Sequence, residues 1–522
     1  MAQPQEIELK LEVPPERVDS LARLPLLKGV WPNKSQTLLS VYFDTDKQKL
    51  RKNGVSLRVR QIDGHFMQTI KKRGNRSVGL FERNEWECDV RNGQPALDTA
   101  HDTALAPVLN KKLRRNLKPV FETRVQRWVY PVRKHDSEIE LAVDMGTVEA
   151  AGRSSPLCEI ELELKRGEPA DLFELARALG KTVPVTLASK SKAGHGYDLI
   201  SKGGHPGPAK AEPVALGPNA TWVEAFRIIA RACLYQLAVN EAAVSRGNAE
   251  GVHQMRIGIR RLRTVISLFK DILEGAQTEA MKLELKWLTG ELGPARELDV
   301  FIKRVVKRAN DDHANGSSLD AVAEDLSARR LEAVGKAEQA VASSRFRRLV
   351  LDAATWIAIG DWTQNGDELS RLLRERPVVD AASAELRRRS KKIRKQGKKL
   401  AKLDARHRHK LRIKTKKLRY AAEFFSGVFP SKKSARRCGK FISKLKAVQD
   451  ALGDLNDIRV HQRLAREELK SRTGRRKRDQ RRAGKAFAAG RLCGREGARF
   501  ASTMKHAERA HAILAKAVPF WP

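Results

Sequence analysis

The chain has 522 residues, of which 41% are hydrophobic, and a formal net charge of +40. The length allows at least two domains that each bury a core, and the hydrophobic content excludes a disordered polyelectrolyte. Five scattered cysteines without a CxxC pair argue against a disulfide framework or a zinc site. We expect a cytoplasmic protein without a signal peptide or a membrane span, and its charge indicates an anionic partner.

The positive charge is uneven along the chain. Residues 1–200 contain 33 Lys and Arg against 27 Asp and Glu, so the rest of the chain carries most of the excess. The stretch from Ser201 to Ala220 is rich in Gly, Pro and Ala, which is typical of a linker. We therefore predict an α+β multidomain protein, with a strand domain at 1–200, a linker at 201–220 and a helical domain at 221–522.

The first half alternates between charged and apolar residues with a period of two, as in EIELKLEV from Glu6 and EIELAVD from Glu138. Such alternation predicts β-strands, in which residues two apart share one face. The opposite faces of these strands are Ile, Leu and Val. The charged faces carry Glu6, Glu8, Lys10 and Glu12, then Arg58 and Arg60, then Glu138, Glu140 and Asp144, and last Glu159, Glu161, Glu163 and Lys165.

These charged faces have two interpretations. In a sheet with one buried side they would meet water. In a closed barrel they would point inward, where carboxylates, lysines and arginines together suit a metal–phosphate complex. The acidic clusters recur on three strands, where like charges repel unless cations separate them, and basic pairs occupy other strands. The sequence therefore favours the barrel.

The same segments carry the motifs of a known family. EIELK at Glu6–Lys10 resembles the ExExK signature of CYTH domains, the triphosphate tunnel metalloenzymes. The similarity continues in chain order through LRVR, TIKK, TR, VDMG, EIELELK and SKAGHGY, which start at Leu57, Thr69, Thr123, Val143, Glu159 and Ser191. A single ExExK would be weak evidence, whereas this ordered succession is specific.

The resemblance implies an eight-stranded antiparallel tunnel that hydrolyses inorganic triphosphate to diphosphate and phosphate with the help of Mg²⁺ or Mn²⁺. Hard divalent cations prefer oxygen ligands, and cationic side chains stabilise charge on a transferred phosphoryl group. Carried over by position, the resemblance implies metal ligands at Glu6, Glu8, Asp144, Glu159 and Glu161. It implies catalytic, phosphate-binding residues at Lys10, Arg58, Arg60, Lys71, Arg124 and Lys192.

Three positions of this match stay open. His195 stands where the family's last motif usually has Arg, and we leave it outside the predicted site. Lys190 is an alternative to Lys192, and Lys72 is an alternative to Lys71. The alternation of the strands does not decide between the members of either pair.

The second half has helical spacing and contains a duplication. The segment HQMRIGIRRLR at 253–263 matches HKLRIKTKKLR at 409–419, and Phe269 and Phe425 follow at the same offset. Farther along, ELGPARELD parallels ALGDLNDIR, at 291–299 and 451–459. Self-similarity of this kind indicates a duplicated helical unit.

Each copy has a basic row beside an apolar stripe. At about 100° per residue the row lies roughly 120° from the stripe, so it borders the core and does not face directly away from it. Duplication would place both rows on one groove, where their fields add. The rows are His253, Arg256, Arg260 and Arg263 in the first copy, and His409, Arg412, Lys416 and Arg419 in the second. A structural role remains the alternative for each histidine, and we interpret Lys391–Lys402 as a solvated face.

These repeats resemble the CHAD domain, a helical-bundle module often joined to CYTH domains. The similarity covers 222–515 and implies two pseudosymmetric four-helix bundles with a basic pocket for inorganic polyphosphate. The eight residues of the two rows are therefore the predicted polyphosphate-binding residues. Multiple Arg and Lys contacts suit a chain that carries about one charge per phosphate. This half shows no metal or nucleophile constellation, so we interpret it as a binding module.

Two other functions stay open on the sequence. The tunnel motifs recognise phosphates, so they also fit an adenylate cyclase or a hydrolase of an organic triphosphate such as thiamine triphosphate. A non-catalytic nucleic-acid- or polyphosphate-binding protein would match the charge. However, aromatic residues are only 6%, and none interleaves with the basic rows to stack on bases. We therefore expect inorganic triphosphate and polyphosphate as partners, and neither nucleic acid nor a membrane.

Overall fold

The computed structural model describes residues 5–23, 32, 34–74, 77–201, 207–311, 316–364, 366–470 and 499–522. Only the backbone is described for 5–6, 22–23, 34, 83, 304–311, 316–325 and 459–470. The side chain of the predicted ligand Glu6 and part of the predicted linker, 202–206, therefore lie outside the described residues.

The described residues form two compact units. The first comprises Met1–Lys210, Leu234–Ala243 and Val341–Asp361, and the second comprises Ala211–Cys233, Val244–Ala340 and Trp362–Pro522. The first unit thus includes short helical segments from the second half of the chain. The boundaries at 200 and 220 stay a prediction.

An antiparallel sheet forms the first unit's framework. Its strands are β1, Gln5–Glu12; β2, Lys34–Asp44; β3, Val55–Ile62; β4, His65–Lys72; β5, Leu80–Val90; β6, Lys118–Lys134; β7, Ser137–Ala150; β8, Arg153–Arg166; and β9, Thr186–Leu187. They are ordered β5-β4-β3-β2-β6-β7-β8-β1-β9, and β1 also pairs with β5. Within the described residues, eight strands therefore close on themselves, which confirms the predicted antiparallel tunnel.

The hydrophobic core of this unit lies outside the tunnel. The helices that lie between strands or follow them in the first half of the chain are α1, Lys49–Lys52; α2, Lys111–Asn116; α3, Pro169–Thr182; and α4, Lys192–Ile200. Helix α3 packs on β1 and β8, whose residues Leu9, Leu11, Ile160 and Leu162 are completely buried. Because the apolar faces are covered from outside, the charged faces are left to line the interior.

The second half of the chain is helical. Its helices are α5, Trp222–Ala238; α6, Glu241–Val244; α7, Ala249–Leu268; α8, Ala276–Glu291; α9, Gly293–Asp311; α10, Gly316–Ala342; α11, Ser344–Ile359; α12, Glu368–Glu375; α13, Val378–Gly397; α14, Ala405–Phe424; and α15, Lys432–Lys470. A further helical segment covers 499–515. In the part of the chain that the structure describes, none of the helices has the length and apolar character needed to cross a membrane.

The two copies of the repeat occupy α7 and α14, which pack against each other. Each helix begins at a capping side chain, Asn248 or Asp404, that accepts hydrogen bonds from backbone N–H groups of the first turn. Phe269 and Phe425 cap the other ends. Both rings contact Trp222, with centroids 4.0 and 5.7 Å away. Equivalent residues of the two copies therefore share one aromatic centre.

Candidate functional site

The strand register determines which charged residues share the tunnel interior. Lys10 of β1 lies opposite Glu161 of β8, and Arg127 of β6 lies opposite Asp144 of β7. Residues directly opposite each other on one face are in side-chain contact. In the tunnel interior, acidic residues of one strand therefore lie beside basic residues of the neighbouring strand.

The interior encloses a cavity of about 230 Å³ that is lined mainly by charged groups. Its cationic lining residues are Lys10, Arg58, Arg60, Lys71, Arg127, Lys165 and Lys192. Its carboxylates are Glu8, Glu85, Glu87, Glu161 and Glu163. Tyr42 is the single aromatic side chain among the described residues that line it. An enclosed volume with more cations than carboxylates suits a polyanionic ligand.

Lys192 is the centre of a buried ion cluster on one wall. Its Nζ lies 2.7 Å from Asp144 Oδ2, 2.9 Å from Glu159 Oε2 and 2.7 Å from Glu161 Oε1. Asp144 and Glu159 are almost completely buried and do not reach the cavity lining. These two carboxylates therefore contact the ammonium group of Lys192 from behind the cavity lining.

Two more cations complete this cluster. Arg127 donates hydrogen bonds of 2.7 and 2.6 Å to the two oxygens of Asp144 and another to Glu161. Lys10 donates to Glu161 and lies 3.2 Å from Glu8. Glu161 thus forms ion pairs with three cations, Lys10, Arg127 and Lys192.

The charges of the cluster keep one another ionised. Burial opposes ionisation of Glu161, but Lys10, Lys192 and Arg127 outweigh it and hold the pKa of this carboxyl well below its usual value. Burial likewise opposes the charged form of Lys192, yet its three carboxylates raise the pKa of the ammonium group well above the ordinary lysine value. Glu161 and Lys192 are therefore both charged at neutral pH.

On the wall built from β3, β4 and β5, one carboxylate lies near two cations. Lys71 Nζ lies 2.7 Å from one oxygen of Glu85, and Arg58 lies 3.8 Å from the other. Arg60 donates a 3.2 Å hydrogen bond to the Ser40 hydroxyl. Burial, and then its cationic neighbours, lower the pKa of Arg60 to about 10. A cation crowded by other cations gains most from an anionic ligand.

Helix α4 brings Lys192 to the tunnel. The Tyr197 hydroxyl donates a 2.7 Å hydrogen bond to Asp44, which ties this helix to the end of β2. A Cβ added to Gly196 would come within 2.2 Å of the Phe121 ring, so only glycine allows this close approach. The contacts of Gly196 with Phe121 and of Tyr197 with Asp44 therefore fix the position of the helix that carries Lys192.

Most of the predicted tunnel residues converge. Those that line the cavity are Glu8, Lys10, Arg58, Arg60, Lys71, Glu161 and Lys192, and Asp144 and Glu159 contact Lys192 from beneath. Lys190 instead pairs with Asp198 at 2.6 Å, and Lys72 donates to a backbone carbonyl. His195 lies 3.8 Å from Glu159; because burial lowers the pKa of this imidazole, it is neutral at neutral pH.

Arg124 does not lie where the prediction put it. Its side chain is 59% exposed and bonds Glu122, on the face of β6 that points away from the cavity. Arg127, three residues on, faces inward because residues an odd number apart point to opposite sides of a strand. The cavity lining therefore includes Arg127 and not Arg124. The sequence interpretation also missed Glu85 and Glu87, which a period-two count along β5 would have placed on one face.

The donor set of the cluster fits a divalent metal. The ion pairs join four carboxylates, Glu8, Asp144, Glu159 and Glu161, to three cations. Oxygen Oε1 of Glu159 is buried and has no hydrogen-bond partner among the described residues. Hard oxygen ligands with an unsatisfied buried oxygen match the preferences of Mg²⁺ and Mn²⁺.

In the second unit, the basic rows of α7 and α14 lie on two helices that pack against each other. Burial is the main cause that lowers the pKa of Arg412 and Lys416 on α14, and Arg260 of α7 adds to the decrease in both. Burial, and then Arg260, lower the pKa of Arg256 to about 10. Four of the eight predicted residues, Arg256, Arg260, Arg412 and Lys416, thus lie on these two packed helices with coupled charges, and we call this cluster the basic groove.

Equivalent residues of the two copies have equivalent surroundings. A Cβ added to Gly293 would lie 3.3 Å from Arg256, and one added to Gly453 would lie 3.7 Å from Arg412. The two glycines occupy matching places in ELGPARELD and ALGDLNDIR. The repeated Leu-Gly pair therefore leaves room for the repeated arginine.

The other four predicted residues differ in burial and in their contacts. Arg263 is exposed, and Arg419 donates to Gln449 at 2.9 Å. His409 Nδ1 lies 2.9 Å from Asn456 Oδ1. Burial lowers the pKa of His253 to about 4, so this imidazole is neutral at neutral pH and supplies no charge there.

Residues 4–197 match the family model of the CYTH domain, and residues 228–466 match that of the CHAD domain. An inorganic triphosphatase from Haemophilus influenzae is 33% identical over 198 residues, which are 38% of this chain and 56% of that protein. The chain thus spans little more than half the length of this relative. Among solved structures, the CHAD domain from Ricinus communis is 29% identical, covers 59% of this chain and 96% of that one, and has a TM-score of 0.49. PptA from Streptomyces chartreusis is 18% identical, covers 56% and 99%, and has a TM-score of 0.40.

Proposed function

Because the chain joins a CYTH domain to a CHAD domain, we propose that its tunnel hydrolyses inorganic triphosphate and that its basic groove binds inorganic polyphosphate. The observation that carries the first part is the cavity, where seven cationic and five carboxylate side chains face one enclosed volume. Among its described lining residues, Tyr42 alone offers an aromatic surface to a base or vitamin ring. The lining therefore suits a ligand made of phosphates.

The chain's own residues would bind and neutralise the triphosphate. Arg58, Arg60 and Lys71 offer N–H donors to phosphate oxygens. Lys10, Arg127 and Lys192 would stabilise the charge that develops as a water oxygen attacks phosphorus and the bridging P–O bond breaks. The carboxylates already hold these three cations in place, so little reorganisation accompanies the reaction.

The metal ligands that we propose are Glu8, Asp144, Glu159 and Glu161, together with Glu6 from the same strand as Glu8. When bound, Mg²⁺ or Mn²⁺ supplies charge neutralisation and an activated water. Glu8 and Glu161 reach the cavity, and Asp144 and Glu159 contact Lys192 behind the cavity lining.

Phosphate release from a substrate panel tests the tunnel assignment. The panel is tripolyphosphate, ATP, thiamine triphosphate and long-chain polyphosphate, each with Mg²⁺, with Mn²⁺ and with excess EDTA. We expect the highest kcat/KM for tripolyphosphate and no turnover in EDTA. A higher kcat/KM for ATP or thiamine triphosphate would favour an organic triphosphatase, and turnover that persists in EDTA would exclude the metal.

The second part of the proposal rests on the four cations of the basic groove. Each Lys or Arg that pairs with a phosphate displaces a counterion, so binding should weaken steeply with salt. Competition tests the ligand class: labelled polyphosphate bound to the full chain is challenged with duplex DNA or single-stranded RNA at equal phosphate concentration. We expect little displacement, and complete displacement by either nucleic acid would contradict selectivity for polyphosphate.

A further inference from the structure

At the end of β1, two glutamates lie directly opposite each other. Lys10 of β1 lies opposite Glu161 of β8, and the next pair on the same face is Glu12 opposite Glu159. The first pair joins a cation to a carboxylate, whereas the second sets two carboxylates on one face, where like charges repel. A cation between Glu12 and Glu159 would relieve that repulsion.

Helix α4 brings His195 to this pair of carboxylates. The imidazole Nε2 lies 3.8 Å from Glu159 Oε1 and 3.9 Å from Glu12 Oε1, so it is close to both but too far for a hydrogen bond. His195 Nε2 and Glu159 Oε1 are both buried, and neither has a hydrogen-bond partner among the described residues. Because buried polar atoms in proteins are nearly always bonded, these two atoms require a partner that lies between them.

The neighbouring lysines do not satisfy these two atoms. Lys192 pairs with Glu159 through the other oxygen, Oε2, at 2.9 Å, and Lys190 pairs with Asp198 at 2.6 Å. The His195 imidazole brings no positive charge of its own, because burial lowers its pKa. Glu159 Oε1 and His195 Nε2 are therefore left for a ligand from outside the chain.

We propose that Glu12, Glu159 and His195 bind a divalent transition-metal ion, for which Zn²⁺ is the best fit. An imidazole nitrogen favours Zn²⁺ and similar first-row ions over Mg²⁺, which prefers oxygen ligands. Zn²⁺ binds imidazole nitrogen and carboxylate oxygen at about 2.0–2.2 Å, so the ligand atoms of a tetrahedral site lie roughly 3.4 Å apart. The distances of 3.8 and 3.9 Å from Nε2 to the two carboxylates are close to this spacing.

This site is distinct from the proposed metal position in the tunnel. The described residues that line the cavity include Glu8 and Glu161 but not Glu12, Glu159 or His195. Glu159 belongs to both positions, because its Oε2 faces the ion cluster and its Oε1 faces the imidazole. The Glu12 side chain is 41% exposed, which gives an ion a path from solvent. None of the ligands is a cysteine, so the site agrees with the lack of a CxxC pair in the sequence.

A second histidine of the same unit provides a matched control. His135, Asp171 and Glu174 also offer one nitrogen and two carboxylates, with ligand atoms within 4.8 Å of one another. There, however, His135 Nδ1 lies 2.6 Å from Asp171 Oδ1, and Lys134 pairs with Glu174 at 2.9 Å. His135→Gln therefore removes an imidazole that is already paired with a group of the protein.

Zinc titration of the full chain, after removal of bound metal, tests this site without any phosphate compound present. Excess Mg²⁺ fills the positions that have only oxygen ligands, and competition with a chromophoric chelator near neutral pH gives the Zn²⁺ affinity. The proteins are wild type, His195→Gln, Glu12→Gln and His135→Gln, and thermal melting checks that each variant folds. Because the Glu12 side chain is partly exposed, Glu12→Gln should fold even if His195→Gln does not.

We expect wild type and His135→Gln to bind about one Zn²⁺ per chain against excess Mg²⁺. His195→Gln and Glu12→Gln should each weaken Zn²⁺ binding at least about tenfold, because loss of a group that only orients a metal ligand already costs about 10–100-fold in affinity. Unchanged affinity in folded His195→Gln or Glu12→Gln, or an equal loss in His135→Gln, would overturn the assignment of these ligands. A wild-type chain that binds no Zn²⁺ in excess Mg²⁺ would overturn the site itself.

Discussion

Replacing Arg127 by Ala tests whether the inward face of β6 belongs to the site. The Arg127 side chain is 13% exposed and bonds both Asp144 and Glu161. The variant removes one of the three cations of the cluster and leaves Asp144 paired with Lys192. Arg124→Ala is the matched control, because that arginine lies on the same strand but is mostly exposed and paired with Glu122.

The size of the effect follows from these surroundings. Loss of one preorganised donor to a developing charge lowers kcat by about 10²–10³-fold, so we expect kcat/KM for tripolyphosphate to fall at least about a hundredfold in Arg127→Ala. Breaking a buried ion pair costs about 3–5 kcal/mol when the other charge is left unpaired. Lys192 still neutralises Asp144, so the loss of unfolding free energy should be smaller than that. An exposed pair such as the one of Arg124 contributes about 0–1 kcal/mol, and its loss should leave kcat/KM nearly unchanged.

The assay is steady-state phosphate release at saturating Mg²⁺, combined with thermal denaturation of each variant. Arg127→Lys separates charge from geometry, because it keeps the positive charge but loses the planar fork that binds Asp144; its kcat/KM should be intermediate. Wild-type activity in a folded Arg127→Ala protein would refute the assignment of Arg127. An equal loss in Arg124→Ala would show that the outward face of β6 also acts on the substrate.

Three other perturbations address the metal, the basic groove and the stability of the fold. Glu8→Gln should raise the Mg²⁺ concentration needed for half-maximal turnover, because it removes a hard oxygen ligand; an unchanged Mg²⁺ titration would take Glu8 out of the site. Neutralising Arg256 and Arg260 together should reduce both the affinity for polyphosphate and its salt dependence more than neutralising Lys398 and Lys399, and equal losses would indicate diffuse binding. Burial raises the pKa of Glu241 to about 7. Between about pH 4.5 and pH 7 the folded chain therefore keeps a proton that the unfolded chain releases. The free energy of unfolding should fall as the pH rises through this range, by at most about 3 kcal/mol. Glu241→Gln should flatten that fall in thermal melts between pH 5 and pH 8, and an unchanged fall would assign it to other groups.

The alternation of charged and apolar residues was sufficient to predict the strands and most of the tunnel lining. Glu8 with Lys10, or Glu159 with Glu161, share a face because they are two residues apart on a strand. The direction of that face is not a local property, because it depends on what covers the other side. Helix α3, with the buried Leu172 and Leu175, packs on β1 and β8, and this long-range packing turns the charges inward.

Arg124 shows where motif matching fails. Strand β6 is 17 residues long and carries arginines on both faces, so a short motif such as TR does not determine which one points inward. Its pairing with β7 does, since Arg127 lies opposite Asp144 and Arg124 lies opposite Thr147. A cross-strand register is a long-range feature, and the sequence of one strand does not contain it.

The helical half shows the complementary case. The duplication predicted which residues form rows on α7 and α14, because the copies match position by position. It did not predict their burial: Arg263 and His409 are exposed, whereas the other six residues of the two rows are partly buried. Burial and the packing of the two helices decide that difference.

The most direct measurement is phosphate release from tripolyphosphate and from ATP by wild type and by Glu161→Gln. Glu161 accepts hydrogen bonds from Lys10 and Arg127 and pairs with Lys192, so its neutralisation disrupts the tunnel cluster and leaves the basic groove unchanged. We predict that wild type hydrolyses tripolyphosphate with a higher kcat/KM than ATP, and that Glu161→Gln loses at least about a hundredfold of that activity. Faster hydrolysis of ATP, or wild-type turnover by folded Glu161→Gln, would contradict hydrolysis of inorganic triphosphate in this tunnel.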